Sequence, residues 1–274
     1  AQDLSESLGP FSLKASVTTG SEYTDNSARS QARPQSKFRQ TITPNLSLEL
    51  TGPFHQASLS YHPMGAYSTP LGEFEHFQAA DASAAYEATP FLTVRATENF
   101  FQSDNPSIIA PNTLQTTRVT STLNTAGLEL PYRTETWSVT PRGVWTATEN
   151  KGTTPEADER SRILTLGADG ALTLLLFNTT VSAGAESTRA RFRLSGDFSG
   201  QTYRGGVSRP FGPRLDLNLN GSLALRQPDR SEGFMTRDAS IGGRYQPSET
   251  VSLSGSVGYQ EPTAAQGSGS QGLP

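Results

Sequence analysis

Between Leu215 and Leu225 the chain alternates without a break. Leu215, Leu217, Leu219, Gly221, Leu223 and Leu225 share one parity, and Asp216, Asn218, Asn220, Ser222 and Ala224 share the other. Successive side chains of an extended backbone point to opposite faces, so a run of this length specifies a strand with one apolar and one polar face. The pattern recurs. Phe11, Leu13, Ala15 and Val17 alternate with Ser12, Lys14, Ser16 and Thr18. Phe38, Ile42, Leu46, Leu48 and Leu50 alternate with Arg39, Thr41, Ser47 and Glu49, and Val251, Leu253, Gly255, Val257 and Tyr259 with Ser252, Ser254, Ser256 and Gly258. No apolar stripe with helical spacing accompanies these runs, and 25 Gly with 18 Pro punctuate the chain too often for long helices. The expected class is all-β.

Which all-β fold depends on what the apolar parity meets. Only 34% of the 274 residues are hydrophobic, and the mean hydropathy is −0.48. Disorder would give such values with few aromatic residues and a high net charge, whereas this chain has 13 Phe, 8 Tyr, 2 Trp and a net charge of −4. No stretch approaches the ~18–20 apolar residues of a membrane-crossing helix. The apolar parities are rich in Ala, Gly and Leu, and the opposite ones are almost wholly Ser, Thr, Asn and Arg. A soluble sandwich would show bulkier, more continuous cores. Phe38, Tyr61, Tyr86, Trp137, Trp145, Tyr245 and Tyr259 fall towards the expected strand ends, where aromatic rings suit a membrane interface. These features predict a transmembrane antiparallel up-and-down β-barrel of about 12–14 strands, with short periplasmic turns and long extracellular loops.

The turns are expected at Thr43-Pro44-Asn45 or Gly52-Pro53, Thr89-Pro90, Asp169-Gly170, Pro210-Phe211-Gly212-Pro213 and Gln246-Pro247-Ser248, with longer polar stretches at 20–35, 102–115, 150–159 and 226–233. Strand centres near 164, 175, 193 and 206 are expected among the others. Between 186 and 209 the apolar parity switches. That switch reads as a hairpin at Ser199-Gly200-Gln201 or as a bulge within one long strand. The start Ala1-Gln2-Asp3 resembles what signal peptidase leaves, so a mature exported chain is expected. The expected organisation is a periplasmic lead-in at 1–9, a barrel at 10–260 and a flexible Gly/Ser-rich tail at 261–274.

Candidate chemistry is sparse. There is no cysteine, which removes disulfides and thiolate metal sites. Gly267-Ser268-Gly269-Ser270-Gln271-Gly272 matches G-x-G-x-x-G but follows no parallel strand and opens no helix, so it reads as linker. Glu73, Glu75 and His76 offer cation ligands at a loop edge, although a solvated loop end is the simpler reading. No G-x-S-x-G elbow places a nucleophile. Neither enzyme activity, cofactor nor metal is expected. Nucleic acid is not an expected partner either, because the net charge is negative and no basic stripe is interleaved with stacking aromatics.

The charges are more telling. Arginine outnumbers lysine 19 to 3, and Lys14, Arg39, Arg95, Arg118, Arg189, Arg191, Arg193, Arg204 and Arg244 are assigned to the polar parity, hence to the lumen of a barrel. Two readings stand. The cations form an anion-attracting ladder, or they, such as Arg191 and Arg193 near Asp197, pair with acids such as Asp81, Glu98, Asp216 and Asp238 and fill the lumen with ion pairs. Ile108 and Ile109, at the centre of the 102–115 stretch, are the candidates for a plug or a partner contact.

Thr43-Pro44-Asn45-Leu46-Ser47-Leu48-Glu49-Leu50, followed by Ala57-Ser58-Leu59-Ser60-Tyr61-His62-Pro63, resembles a strand-turn passage of uncharacterised porin-like outer-membrane β-barrel proteins. Ala85-Tyr86-Glu87-Ala88-Thr89-Pro90 with Leu92-Thr93-Val94, and Gly205-Gly206-Val207-Ser208-Arg209-Pro210-Phe211-Gly212, echo it. In one departure, the last strand lacks the terminal aromatic residue such barrels usually carry. The resemblance implies a barrel in the bacterial outer membrane with a pore, export or scaffold role. The function expected is passive passage of small polar or anionic solutes, and the alternative is a structural barrel anchoring an envelope or extracellular assembly through its loops and tail. The expected partners are the lipid bilayer and either envelope proteins or further copies of the chain.

Overall fold

The computed structural model describes residues 2–25, 36–69, 73–104, 120–152, 158–194, 196–229, 231–248 and 250–264. They build one antiparallel sheet. Its strands are β1 (Gln2–Leu8), β2 (Phe11–Thr24), β3 (Lys37–Thr51), β4 (His55–Thr69), β5 (Glu73–Thr89), β6 (Leu92–Ser103), β7 (Thr120–Glu129), β8 (Tyr132–Arg133), β9 (Trp137–Lys151), β10 (Glu159–Leu174), β11 (Thr179–Phe192), β12 (Phe198–Phe211), β13 (Leu215–Pro228), β14 (Phe234–Tyr245) and β15 (Leu253–Ala264). Fourteen of them lie side by side in chain order, and the two-residue β8 pairs off this path with β6 and β9. This is the up-and-down order read from the alternation. A single 3-10 turn, Leu175–Phe177, is the one helical element among the described residues.

The connectors form two alternating sets. One contains 9–10, 52–54, 90–91, 130–136, 175–178, 212–214 and 246–252; the other contains 25–36, 70–72, 104–119, 152–158, 193–197 and 229–233. The two longest belong to the second set, so the strand ends it joins are called the long-connector end below. Gly9 and Gly212 take φ of +65° and +72°. Both sit in tight turns of the first set, where a side chain would be strained.

Several boundaries differ from the sequence reading. The expected lead-in 1–9 contains β1, which pairs along its whole length with β2 from Gln2↔Val17 to Leu8↔Phe11. The sheet runs to Ala264 in β15; the tail beyond it lies outside the described residues. Thr43-Pro44-Asn45 is strand interior in β3, and the turn is at Gly52-Pro53. Asp169-Gly170 is also interior, within β10, because Asp169 is held by cross-strand cations as described below. The two segments expected near 164 and 175 are therefore one strand and the 3-10 turn after it. The parity switch between 186 and 209 is a hairpin with its connector at 193–197, not at Ser199-Gly200-Gln201 and not a bulge.

The chain divides into two compact units: Ala1–Glu87 with Val94–Gly127 and Thr146–Ser161, and Ala88–Thr93 with Leu128–Trp145 and Arg162–Pro274. In the first, Leu13↔Leu48↔Leu59↔Ala82 and Ala15↔Leu46↔Tyr61↔Ala80 form apolar rows, while Lys14↔Ser47↔Ser60↔Asp81 lies on the other face. In the second, Val181↔Val207↔Leu219↔Ile241↔Val257 is apolar and Gly184↔Arg204↔Ser222↔Asp238↔Gln260 polar. Directly opposed residues share a face, so each register fixes two-sidedness across its strands. Among the described residues only Ala66 and Ala190 are buried hydrophobics, and the apolar rows stay open: Ile42, Leu166, Leu219 and Ile241 are each about half exposed. An apolar surface of this extent is stable only against an apolar surrounding.

Candidate functional site: the polar face

In the second unit the polar face carries a four-residue charge network. Arg204 Nε and Nη2 donate to Asp169 Oδ1 and Oδ2 at 2.8 and 2.9 Å, a two-pronged contact between β12 and β10. Arg142 on β9 lies 3.0 Å from Asp169 Oδ2 and donates to Glu186 Oε2 at 2.8 Å. Glu186 on β11 is 4.0 Å from Arg204 Nη2. Two guanidinium groups thus share two carboxylates, and the planar fork of arginine suits the bidentate geometry. The network needs Gly184. That residue lies directly opposite Arg204, and a Cβ built on it would overlap Asp169 Oδ1 and come within 2.8 Å of Arg204 Nε. Beside the network is a recess of about 250 Å³ lined by Asp169, Ser182, Arg204, Asn220, Ser222 and Asp238. The Ser222 hydroxyl donates to Asp238, and Asp216 stands directly opposite Arg244.

In the first unit two pairs on the polar face are separate, whereas Glu149 Oε1 is shared by Lys151 at 3.6 Å and Arg160 at 2.7 Å. Lys14 Nζ is 3.2 Å from Glu49 Oε1, and Arg39 Nη2 is 2.9 Å from Glu75 Oε2. Glu75 is nearly buried, while Arg39 Nε and Ser68 Oγ are buried without hydrogen-bond partners. Glu49 also borders a recess of about 410 Å³ shared with Ser58, Ser83, Arg95 and Thr97. The β3–β4 ladder runs from Phe38↔Thr69 to Ile42↔Gly65, stops, and resumes at Leu46↔Tyr61. The unchanged register sets Pro44 opposite Pro63, and neither has an N–H to give. Side chains span the gap: His62 Nδ1 and Asn45 Oδ1 are 2.8 Å apart, and Asn45 Nδ2 donates to Ser16 Oγ at 3.4 Å.

Of the nine cations assigned to the polar parity, the structure places Lys14, Arg39, Arg204 and Arg244 on the polar face by register and Arg95 beside the polar-face Ser58 and Ser83. Arg118 lies outside the described residues, as do Ile108 and Ile109. Arg189 and Arg191 are a correction. Arg189 shares the parity of Val181 and Ala185, opposite Ser199, so it and Arg191 are on the face of the apolar rows. Arg193 is in the connector after β11. The cause is an inversion at the strand end. From Ser187 towards the connector the apolar-row face turns polar, whereas Ala190, Phe192 and Phe198 occupy the other face, with the two rings 6.0 Å apart. Arg142 and Glu186 escaped the sequence reading, and Glu49 was on its polar parity without a partner assigned. Arg142 was recoverable from the parity Ser138, Thr140, Arg142, Val144, Thr146 in β9, polar but for Val144.

Tyr86, Trp137 and Tyr245 lie at strand ends joined by the first set of connectors, and Phe38 near the long-connector end. Tyr61, Trp145 and Tyr259 are mid-strand instead. Exposed Phe11 and Phe54 accompany Tyr86 in the first unit; Phe91, Phe177 and Phe211 accompany Trp137 and Tyr245 in the second. Tyr132 stacks on Trp137 at 4.9 Å. Glu75 and His76, weighed above as cation ligands, point to opposite faces of β5; Glu75 meets Arg39, and His76 Nδ1 is 3.7 Å from Asp104 Oδ2.

No family model matches the chain, and no curated protein matches it. Solved structures do. OmpT of Vibrio cholerae, an outer membrane protein, aligns over 96% of this chain and 90% of its own at 10% identity, with a TM-score of 0.51. The siderophore receptor PiuA from Acinetobacter baumannii aligns over 95% of this chain and 61% of its own at 10% identity, TM-score 0.48. An anion-selective porin from Comamonas acidovorans aligns over 90% and 89% at 13% identity, TM-score 0.39. At such identities the likeness is one of fold. This chain has the fold of the outer-membrane β-barrel proteins.

Proposed function

We propose that the chain forms a conduit for small polar solutes across the outer membrane, with its polar face lining the path. The observation that carries this reading is a polar face built from Ser, Thr, Asn and Gly with paired charges, rather than one packed with apolar side chains. A barrel of about eight strands is filled by its own side chains, and one of fourteen has room to spare. The pairing also bears on selectivity. Lys14, Arg39, Arg142 and Arg204 each have a carboxylate partner, so the wall favours neither sign strongly. This differs from the anion-attracting ladder that the arginine count alone suggests.

A structural barrel that anchors an assembly is the second reading. Its support is the turn Leu175-Leu176-Phe177, where Leu176 is 88% exposed, an apolar projection suited to a partner surface. Conductance across planar lipid bilayers separates the two. Discrete steps with weak ion selectivity are expected for the conduit, and efficient insertion without steps would remove it in favour of the anchor.

A further inference from the structure

The inversion near the end of β11 leaves three arginines on the apolar-row face of neighbouring strands. Thr165 and Thr188 hydroxyls are 3.2 Å apart, and those of Thr173 and Thr180 3.3 Å. Both pairs obey one antiparallel register, which sets Arg162 opposite Arg191 and Arg189 opposite Leu164. Arg162, Arg189 and Arg191 are exposed, and among the described residues none of the three has an ion pair or a hydrogen bond. Asp197 follows Arg191 across the hairpin, but its Oδ1 accepts the Phe192 amide at 2.9 Å. Like charges directly opposed across a sheet repel. An uncompensated arginine pair is therefore a poor structural element and a good anion site.

Its level on the sheet says which anion. On the same face of β10, Leu164, Leu166, Leu172 and Leu174 form an exposed apolar strip. From Leu174 to Leu164 is ten residues, which at ~3.4 Å each and a tilt of ~40° spans about 26 Å, close to the height of a lipid-facing band. Arg162 is the next residue of that parity beyond the strip, at the end of the strand nearer the 193–197 connector. Arg162 and Arg191 therefore stand just beyond the strip and Arg189 at its edge, at headgroup level, where guanidinium forks pair with phosphate oxygens.

We infer that Arg162, Arg189 and Arg191 bind the phosphorylated headgroup of a membrane lipid at the long-connector end of β10 and β11. The inference uses the barrel's membrane setting and does not depend on conduction. The full chain in neutral detergent micelles is titrated with diphosphorylated lipid A and with its dephosphorylated form, and retained lipid is counted by native mass spectrometry. The phosphorylated lipid is expected to bind, and the triple variant Arg162→Gln/Arg189→Gln/Arg191→Gln to weaken it about a hundredfold, at roughly 1 kcal/mol per basic residue. The triple Lys variant, which keeps the charge, should retain most of the affinity and shows that loss in the Gln variant is not misfolding. Equal binding of the two lipids, or equal binding by wild type and the Gln variant, would overturn the inference. So would complete displacement of the lipid by millimolar inorganic phosphate, which would leave a free-anion site.

Discussion

The strands β2–β5 and β11–β15 solve the same problem with different continuity. Across β11–β15 the ladders run without a gap from Phe211↔Leu215↔Tyr245↔Leu253 through the rows above it, and Glu186 and Arg204 of these strands share charge on the polar face with Asp169 of β10 and Arg142 of β9 around Gly184. Across β2–β5 the β3–β4 ladder is interrupted opposite Pro44 and Pro63, and the charges sit in separate two-member pairs. An unbroken backbone ladder holds side chains at fixed spacing, so a multi-centre network can form where glycine leaves room. An interrupted ladder relies on local side-chain bonds such as His62–Asn45.

The strongest way to break the contrast is at Gly184. Gly184→Val drives a branched side chain into Asp169 and Arg204 and is expected to lower unfolding stability in lipid vesicles by about 2–3 kcal/mol. Gly205→Val is its control. Gly205 is on the apolar-row face, where a Cβ meets only Ser182 O at 3.8 Å, and the expected change is within about 0.5 kcal/mol. Equal losses at the two glycines would show that the network does not depend on the close approach.

Next in size is repair of the weaker region. Pro44→Val/Pro63→Val returns two amide donors to the β3–β4 seam and should raise stability by about 1–2 kcal/mol, because each backbone bond nets about 0.5–1.5. Hydrogen exchange gives the local readout: the amides of Thr43, Asn45, Leu46, Tyr61, His62 and Met64 exchange faster than those around Gly206 and Asn220 in the wild type, and the difference shrinks in the variant. Unchanged exchange would mean that the His62–Asn45 bridge already secures the seam.

Much of this arrangement was legible in the residues themselves. The run Leu215–Leu225 determines both faces of β13, because alternation has one physical reading over that length. The up-and-down order follows from Gly- and Pro-bearing turns. What alternation does not reveal is where each strand leaves the apolar surrounding. Alternation alone puts Arg189 and Arg191 on the wrong face because Ala190 and Phe192 look like a continuing apolar parity, although they sit beyond Ser187, where the environments exchange. Asp169-Gly170 has the composition of a turn, and only the cross-strand position of Arg142 and Arg204 explains an aspartate within β10. Pairing partners depend on register, and register is set by hairpin lengths distributed over the whole chain.

Arg204→Gln sharpens the electrostatic side of the comparison. It removes the two-pronged contact to Asp169 and leaves Arg142 between two carboxylates. Arg204 and Asp169 are 41% and 37% exposed, so solvent screening limits the loss to about 1 kcal/mol. The clearer effect is in conduction, where the extra negative charge should move the reversal potential under a salt gradient towards cation preference. An unchanged reversal potential would mean that ions do not pass the network.

The smallest change is expected at Lys14→Gln. Lys14 and Glu49 are 55% and 45% exposed, the ammonium is a flexible point charge rather than a fork, and among the described residues no third charged group shares the pair in the way Arg142 shares Asp169 and Glu186. Stability should fall by less than about 0.5 kcal/mol. The freed Glu49 carboxylate borders the recess that also contains Arg95, so the side chain can turn towards a second cation, a compensation Asp169 lacks because Arg142 already binds it. A Lys14→Gln/Arg95→Gln double variant tests this directly: its loss should exceed the sum of the two single losses. Strict additivity would show that Glu49 gains nothing from Arg95, and that the small effect at Lys14 is due to solvent alone.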